Sequence, residues 1–165
     1  MEAEFGRLEL SVNNAGTDLA FDPHLSSVKN MKRTLQLNFG GTLCVAGGIL
    51  LLLTASDDDR IVHLSSALAS LGLRHEPGRQ CRQMLLTTYA AFRAVLNALT
   101  VSQLVALVGQ RGKISAICPG FTAMEVTGFR PDRTTQRAAA YTLRVALDAD
   151  VTTSTFCNDQ GVLPC

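Results

Sequence analysis

The feature that most constrains how this chain can fold is a repeated alternation between short strand-like runs and long helical stretches. The strand-like runs are mostly apolar and end in small, polar or turn-forming residues. They cover residues 8–12, 60–66, 113–120 and 153–157, and helical patterns cover about 26–54, 79–108 and 132–148. Strands separated by helices of this length need crossover connections, which make neighbouring strands parallel. The pattern predicts an α/β fold with a doubly wound parallel sheet, formed by a single domain over residues 1–165.

Composition argues against several classes of protein. Apolar residues make up 47% of the chain and charged residues 18%, which is enough apolar material to bury a core. The net charge is +1 and the basic residues are scattered, so we expect no nucleic-acid partner. The apolar run “LCVAGGILLLL” is short of the roughly 20 residues that span a bilayer, so we expect no membrane segment.

The cysteines indicate the compartment. Five of them are spread along the chain without any C-x-x-C pair. That spacing favours neither a zinc site nor a disulfide framework, and free thiols are typical of a reducing compartment. The first ten residues also lack the apolar core of a signal peptide. The sequence therefore predicts a cytoplasmic protein with no metal site.

Three of the strand-like runs end in residues suited to contact a ligand. The three ends are “NNAG” (13–16), “SSA” (65–67) and “PGF” (119–121). In parallel sheets, ligands bind beyond the carboxyl ends of the strands. The sequence therefore predicts a binding site at this edge of the sheet.

Several motifs, in this order along the chain, resemble the short-chain dehydrogenase/reductase family. The matching segments are “VNNAG” (12–16), Asn38 in “LQLNFGGT”, Ser66 in “RIVHLSS”, “YAAFR” (89–93) and “CPGF” (118–121). Ser65 is the second choice for the family's serine. The ending “FCNDQGVLPC” is similar to the tails of carbonyl-reductase-like members. The resemblance implies a Rossmann-type fold.

That resemblance also implies an activity and a set of site residues. Members of the family transfer hydride between NADP(H) or NAD(H) and a carbonyl or alcohol, here of a small metabolite. The implied catalytic residues are Asn38, Ser66, Tyr89 and Arg93. The implied cofactor contacts are Asn14, Ala15, Gly16, Tyr89, Arg93, Pro119, Gly120 and Thr122.

The residue types suit that chemistry. Tyr89 and Arg93 are four residues apart and so share one face of a helix. A cation beside a phenol favours the phenolate and eases proton transfer to or from a substrate oxygen. A serine hydroxyl, such as that of Ser66, can donate a second hydrogen bond to the charge that develops on that oxygen.

The chain departs from the family pattern in three respects. Arg93 stands where the family has lysine, and Met124 where relatives often have threonine. The family's glycine-rich strand–turn–helix is not found, and Met1 directly precedes the run that resembles the fourth strand. We therefore expect the carboxyl-terminal portion of the fold, without its first three strands. These departures leave a second hypothesis open: a truncated, non-catalytic relative that acts as a dimerisation or regulatory module.

The helical pattern at 79–108 also indicates self-association. Its apolar residues surround the helix: Leu85, Leu86, Phe92, Val95, Leu96, Leu99, Leu104 and Val105. A helix that is apolar on all sides needs cover on two of them: one side can face the sheet, and the other needs another helix or another subunit. We expect a homo-oligomer formed through the long helices.

Overall fold

A computed structural model describes residues 5–17, 27–84, 87–106, 112–130, 133–148, 150 and 156–165. Within these residues, five strands form one sheet in the order β1-β2-β3-β4-β5. They are β1 (Leu10–Asn13), β2 (Arg60–Leu64), β3 (Lys113–Ile117), β4 (Phe156–Asn158) and β5 (Gly161–Val162). Strands β1 to β4 are parallel, and β5 is antiparallel to β4. The predicted α/β fold with a parallel sheet is confirmed, and the antiparallel β5 was not expected.

The strands are shorter than predicted, and one was not predicted at all. β2 and β3 begin at the predicted residues but end at Leu64 and Ile117, where the chain turns out of the sheet. Residues 153–155, predicted as the start of the last strand, lie outside the described residues. The two-residue β5 follows the “NDQG” turn and folds back on β4. A strand that short has no periodicity to detect.

Helices connect the parallel strands. They are α1 (Ser27–Leu35), a π-helical turn (Gln36–Gly41), α2 (Thr42–Thr54), α3 (Leu71–His75), α4 (Gln80–Gln83), α5 (Thr87–Ala106) and α6 (Thr135–Leu147). Single 3-10 turns cover Ala67–Ala69 and Glu125–Thr127.

The prediction of one continuous helix over 79–108 was wrong. Met84 is extended, with φ −88° and ψ 108°, and it separates the short α4 from α5. Leu85 and Leu86 lie outside the described residues. Residues 79–108 contain no glycine or proline, so the sequence gives no strong local signal for such a break, and pattern alone merges the two helices.

Helices cover both faces of the sheet, as a doubly wound fold requires. On one face, Ile49 and Leu53 of α2 pack against Ile61 and Ile114. On the other face, buried residues of α6 join a second cluster: Val62, Ile117, Tyr141, Val145, Ala146 and Cys157. The strand residues alternate between the two clusters, so each strand is apolar without the polar face of an exposed sheet.

A buried arginine holds the amino end of the sheet. Arg60 begins β2 and is only 7% exposed. Its Nη1 donates to the backbone oxygens of Ala146 and Asp148 at 3.2 and 2.8 Å. Its Nη2 pairs with Asp58 Oδ2 at 2.8 Å. Because the last carbonyls of a helix have no partner within the helix, Arg60 completes the end of α6.

The helical stretch Val28–Thr54 is long and apolar enough, by length and composition, to cross a membrane. In this fold it forms one cover of the sheet and is interrupted by the π-helical turn. A core helix of an α/β protein passes the same test of length and composition, so this finding is weak evidence for a membrane.

Candidate active site

Three neighbouring strands bring their turns to one edge. β1, β2 and β3 are adjacent and parallel, so the residues after Asn13, Leu64 and Ile117 leave the sheet on the same side. The turns that follow are 14–16, 65–66 and 119–120, which contain most of the residues predicted to contact a ligand. Helix α5 packs against the 3-10 turn after Ser66 and against the π-helical turn. Asn38, Tyr89 and Arg93, on these two helical elements, therefore lie near the same edge.

The two serines after β2 have different surroundings. Ser65 is buried, and its Oγ donates to Asn97 Oδ1 on α5 at 2.6 Å. Ser66 is partly exposed, and its Oγ accepts a hydrogen bond from Leu68 N at 3.2 Å. That bond uses a lone pair, so the Ser66 hydroxyl keeps its hydrogen for another acceptor. Of the two candidates, Ser66 is the one able to donate to a ligand.

Tyr89 and Arg93 lie on the same face of α5, as their spacing predicts. Arg93 Cζ lies 5.0 Å from the centre of the Tyr89 ring, in a cation–π contact. Arg93 Nη1 donates to Leu64 O at 2.7 Å, which joins α5 to the end of β2. Arg93 is 7% exposed, and its Nε has no hydrogen-bond partner among the described residues. The site thus holds a buried cation with an unused donor beside a partly buried phenol.

Asn38 projects from the π-helical turn and fixes the loop after β1. Its Oδ1 accepts from Thr17 N at 2.9 Å, and its Nδ2 donates to Thr17 O at 2.7 Å. The same Nδ2 donates to Thr34 O at 2.9 Å. π-helical turns inside α-helices are frequent at functional sites. Both hydrogens of the buried Asn38 amide are used, and Asn38 joins the helix to the loop after β1.

Gly16 is a glycine because side chains of the site approach its backbone closely. A Cβ at this position would collide with the Arg93 guanidinium and would lie 2.8 Å from Asn38 Oδ1. The turn at 14–16 is thus packed directly on the cation of α5. Any larger residue at position 16 would displace Arg93 or Asn38.

The Pro-Gly turn after β3 is held by Arg133. Gly120 has φ +86°, a left-handed conformation that favours glycine. A Cβ there would lie 2.7 Å from Arg133 Nε, and Arg133 Nη1 donates to Pro119 O at 2.9 Å. Thr122 is buried, and its hydroxyl donates to Gly120 O at 3.0 Å. Thr122 therefore shapes the turn from inside, while Met124 is 39% exposed beyond it.

Two groups of polar residues at this edge escaped the sequence analysis. Asn97 lies four residues after Arg93 on α5 and accepts from Ser65. His63 is fully buried, with Nδ1 3.1 Å from Asn13 Nδ2 and Nε2 2.8 Å from Gln103 Oε1. Since the amide nitrogen of Asn13 can only donate, His63 accepts at Nδ1 and carries its proton on Nε2. Burial lowers the pKa of His63, which keeps the ring neutral.

The signal that could have identified Asn97 is its spacing. Polar residues at i, i+4 and i+8 on a mostly apolar helix define a buried polar stripe, here Tyr89, Arg93 and Asn97.

The described residues contain no group of three His, Cys, Asp or Glu side chains that could hold a metal ion.

Solved structures share this fold. The chain matches NADPH-bound carbonyl reductase from chicken fatty liver with a TM-score of 0.81 and 21% identity, covering 96% of this chain and 66% of that one. It matches salutaridine reductase from Papaver somniferum with a TM-score of 0.77 and 20% identity, covering 96% of this chain and 74% of that one. At these identities the likeness establishes the Rossmann-type fold alone.

Sequence comparison connects the chain to a family. It is 24% identical over 152 residues to the short-chain dehydrogenase anuI of Penicillium roqueforti, covering 90% of this chain and 60% of that protein. The chain therefore spans about three fifths of that relative's length. The family model described as short chain dehydrogenase matches residues 1–135, most of the chain. With the parallel sheet and the ordered motifs at its carboxyl edge, this match places the chain in the short-chain dehydrogenase family.

Proposed function

We propose that this chain is an oxidoreductase that transfers hydride between NADP(H) or NAD(H) and the carbonyl or alcohol group of a small metabolite. Family membership supports the reaction class. The observation that carries the proposal is the environment of the Arg93 guanidinium, which meets the Tyr89 ring, the backbone end of β2 and the Gly16 turn. The motifs that chemistry of this type needs are thereby joined around one buried charge.

The residues at the carboxyl edge fit the nicotinamide end of such a cofactor. Gly16 lets the turn at 14–16 lie directly against Arg93, whose Nε is a buried donor without a partner among the described residues. When bound, the cofactor supplies the hydride. The residues proposed to hold it are Asn14, Ala15, Gly16, Tyr89, Arg93, Pro119, Gly120 and Thr122.

The proposed roles follow from what each side chain can do. Tyr89 donates its phenolic proton to the substrate oxygen as hydride reaches the carbon, and regains a proton from solvent. Ser66 donates a hydrogen bond to the same oxygen, because its hydroxyl hydrogen is not used by the loop. Arg93 stabilises the phenolate by its charge alone, since a guanidinium in a protein does not release its proton. Asn38 holds the loop after β1 against the helix that carries it.

The non-catalytic alternative is not favoured by the comparisons. Its distinguishing property is that it needs no cofactor. Titration of the purified chain with NADPH and with NADH, each to millimolar concentration and followed by fluorescence, separates the two hypotheses. Saturable binding supports the oxidoreductase, and no binding of either cofactor would rule it out for this chain.

Activity variants then test the assignment of roles. With a panel of aldehydes and ketones, Tyr89→Phe is expected to lower kcat/KM by about 10²–10⁴-fold, the usual contribution of a general acid. The phenylalanine ring keeps the contact with Arg93, so only the hydroxyl is lost. Tyr141→Phe is the matched control, because the Tyr141 hydroxyl bonds to Cys157 in the core beneath α6. Equal losses in the two variants would contradict the proposed role of Tyr89.

The two serines provide a second matched pair. Ser66→Ala is expected to lower kcat by about 10²-fold through the lost hydrogen bond to the substrate oxygen. Ser65→Ala is expected to lower stability by about 1–2 kcal/mol, because Asn97 loses its donor, and to leave more activity. The reverse pattern would assign the catalytic role to Ser65.

The proposal includes self-association through the long helices. Large apolar side chains stay exposed on the sides of α2 and α5 away from the sheet: Leu43, Val45, Leu50, Leu51, Val95, Val101 and Val105. Leu51→Glu together with Val105→Glu is expected to shift the chain to monomer in sedimentation experiments. Leu143→Glu on α6, at the opposite face, is the control that keeps the oligomer. A monomeric wild-type chain would contradict this part of the proposal.

We propose that the chain forms a single domain and that its compartment is the cytoplasm. All five cysteines are free, which suits a reducing compartment.

A further inference from the structure

The last ten residues of the chain contact two parts of the candidate site, the loop that follows Ser66 and, through Arg133, the Pro-Gly turn after β3. Residues 156–165 form β4, a tight turn, β5 and an extended segment, and are called the hairpin clasp here. One part of the clasp lies against residues 67–73, which follow Ser66 and are called the serine loop here. Another part reaches the Pro-Gly turn after β3 through Arg133.

The first contact is with the segment at 70–72. Ser70 is fully buried, and its Oγ donates to Pro164 O at 2.5 Å while accepting from Leu73 N at 2.9 Å. Gly72 N donates to Cys165 O at 3.4 Å. A Cβ on Gly72 would lie 2.9 Å from Pro164 Cβ and 3.1 Å from Pro164 Cγ. The start of α3 is therefore packed directly on the clasp, with no room for a side chain at position 72.

The second contact is an ion pair. Asp159, in the turn between β4 and β5, accepts from Arg133 Nη2 at 2.5 Å. Arg133 in turn lies on Gly120 and donates to Pro119 O. The hairpin turn thus holds the side chain that covers the Pro-Gly turn.

A small apolar cluster joins the two contacts from below. Leu163 and Ala67 pack against buried Cys118 and Phe156. Ala67 N also donates to Cys118 Sγ at 3.1 Å, so the residue after Ser66 is bonded to the residue before Pro119. The clasp, the serine loop and the Pro-Gly turn form one packed unit.

We propose that the hairpin clasp positions the substrate side of the site, with Ser70, Pro164 and Asp159 as positioning residues. By holding 67–73 and the Pro-Gly turn together, it sets the direction of the Ser66 hydroxyl relative to the bound carbonyl compound. The effect on catalysis rests on the proposed function. The structural part of the proposal, that the clasp orders the serine loop, does not depend on it.

Hydrogen exchange tests, without any turnover, whether the clasp orders the serine loop. Gly72→Ala adds a Cβ that collides with Pro164, so the amides of Leu68, Ala69 and Leu73 are expected to exchange at least about 10-fold faster. The amides of β2 should be unchanged. Gly48→Ala is the matched control, because a Cβ there meets nothing within 4 Å.

Pro164→Gly removes the atoms that a Cβ at position 72 would meet. In that background, Gly72→Ala is expected to cause no further increase in exchange, because the two substitutions act on one contact. Additive effects, an unchanged loop in Gly72→Ala, or faster exchange spread equally over β2 would each overturn the proposal.

Kinetics test the catalytic consequence separately. Gly72→Ala disturbs the contact between the clasp and the loop after Ser66, which holds none of the proposed cofactor contacts, and is expected to raise KM for the carbonyl substrate about 3- to 10-fold with the cofactor Kd changed less than about 2-fold. Equal changes in both constants would contradict positioning of the substrate side. A chain that binds no cofactor fails the proposed function, while the exchange results still decide whether the clasp orders the loop.

Discussion

Two buried arginines at opposite ends of β2 show how differently the two edges of this sheet are built. Arg60 and Arg93 are each 7% exposed. Arg60 donates to two helix carbonyls and pairs with a carboxylate. Arg93 has one hydrogen bond to a backbone oxygen, a ring beside it, and an Nε without a partner among the described residues.

The difference separates a residue that stabilises the fold, Arg60, from one that is proposed to act in the reaction, Arg93. Burying a charge is costly unless hydrogen bonds compensate for the lost water, and at Arg60 they do. At Arg93 the compensation is incomplete, because its Nε has no partner among the described residues, and a buried group of this kind calls for an explanation. At the amino edge, Nη1 and Nη2 of Arg60 are paired within the chain. At the carboxyl edge, Arg93 Nε keeps a hydrogen that has no acceptor among the described residues.

The largest loss of stability should come from a substitution of Arg60, at the amino end of β2. Arg60→Met is expected to lower the free energy of unfolding by about 2–4 kcal/mol, because two carbonyls at the end of α6 lose their donor. Urea unfolding followed by circular dichroism measures it. The control is Arg7→Met, which breaks an exposed pair with Glu9 and should change stability by less than about 0.5 kcal/mol. Similar losses in both variants would break the comparison.

The same substitution at the other end should have the opposite profile. Arg93→Met is expected to change stability by only about 1 kcal/mol, because the removed charge is poorly compensated. It should weaken NADPH binding by about 10-fold, which is about 1.4 kcal/mol. Arg93→Lys keeps the charge and should retain binding within about 3-fold while raising turnover, since an amine can relay a proton. If Arg93→Met destabilised the chain as much as Arg60→Met, Arg93 would be structural too.

The smallest effect should come from His63, which lies on β2 between the two ends. Burial holds the pKa of His63 below its ordinary value, so below about pH 6.5 the unfolded chain binds more protons than the folded one. The free energy of unfolding should therefore fall as the pH drops below 6.5, by at most about 1.4 kcal/mol per pH unit from this residue.

Urea unfolding between pH 7.5 and 5.5 checks the prediction for His63. His63→Gln should flatten the profile, and His75→Gln, at an exposed position, should leave it unchanged. A profile that is flat over this range and unchanged by His63→Gln would show that His63 is protonated in the folded chain without cost, and that the carboxyl edge is less tightly sealed than its contacts indicate.

Much of the fold was predictable because its signals are local and repeated. “RIVHL” and “KISAI” became β2 and β3 at the predicted first residues, and helices cover both faces as their apolar patterns require. The break at Met84 and the two-residue β5 were not predictable. Each depends on tertiary contacts of the chain rather than on periodicity within a window of sequence.

The candidate site was predictable in composition but not in geometry. Motif order singled out Asn38, Ser66, Tyr89 and Arg93, and the structure brings their elements to one edge. Pattern alone could not choose between Ser65 and Ser66, because β2 has already ended and strand alternation no longer applies. The bond from Ser65 to Asn97 makes that distinction, across 32 residues of sequence.

The π-helical turn at Gln36–Gly41 makes the length of this helix as important as its sequence. One residue more than a regular helix needs is accommodated there. Deleting a single residue between 36 and 41 would therefore restore a regular helix and leave the faces of the flanking turns where they are. The apolar face of α2 would keep its contacts with the sheet, whereas Asn38, which lies within the turn, would be redirected and lose its bonds to Thr17. A one-residue deletion here should therefore leave the fold intact and detach the loop after β1 from the helix.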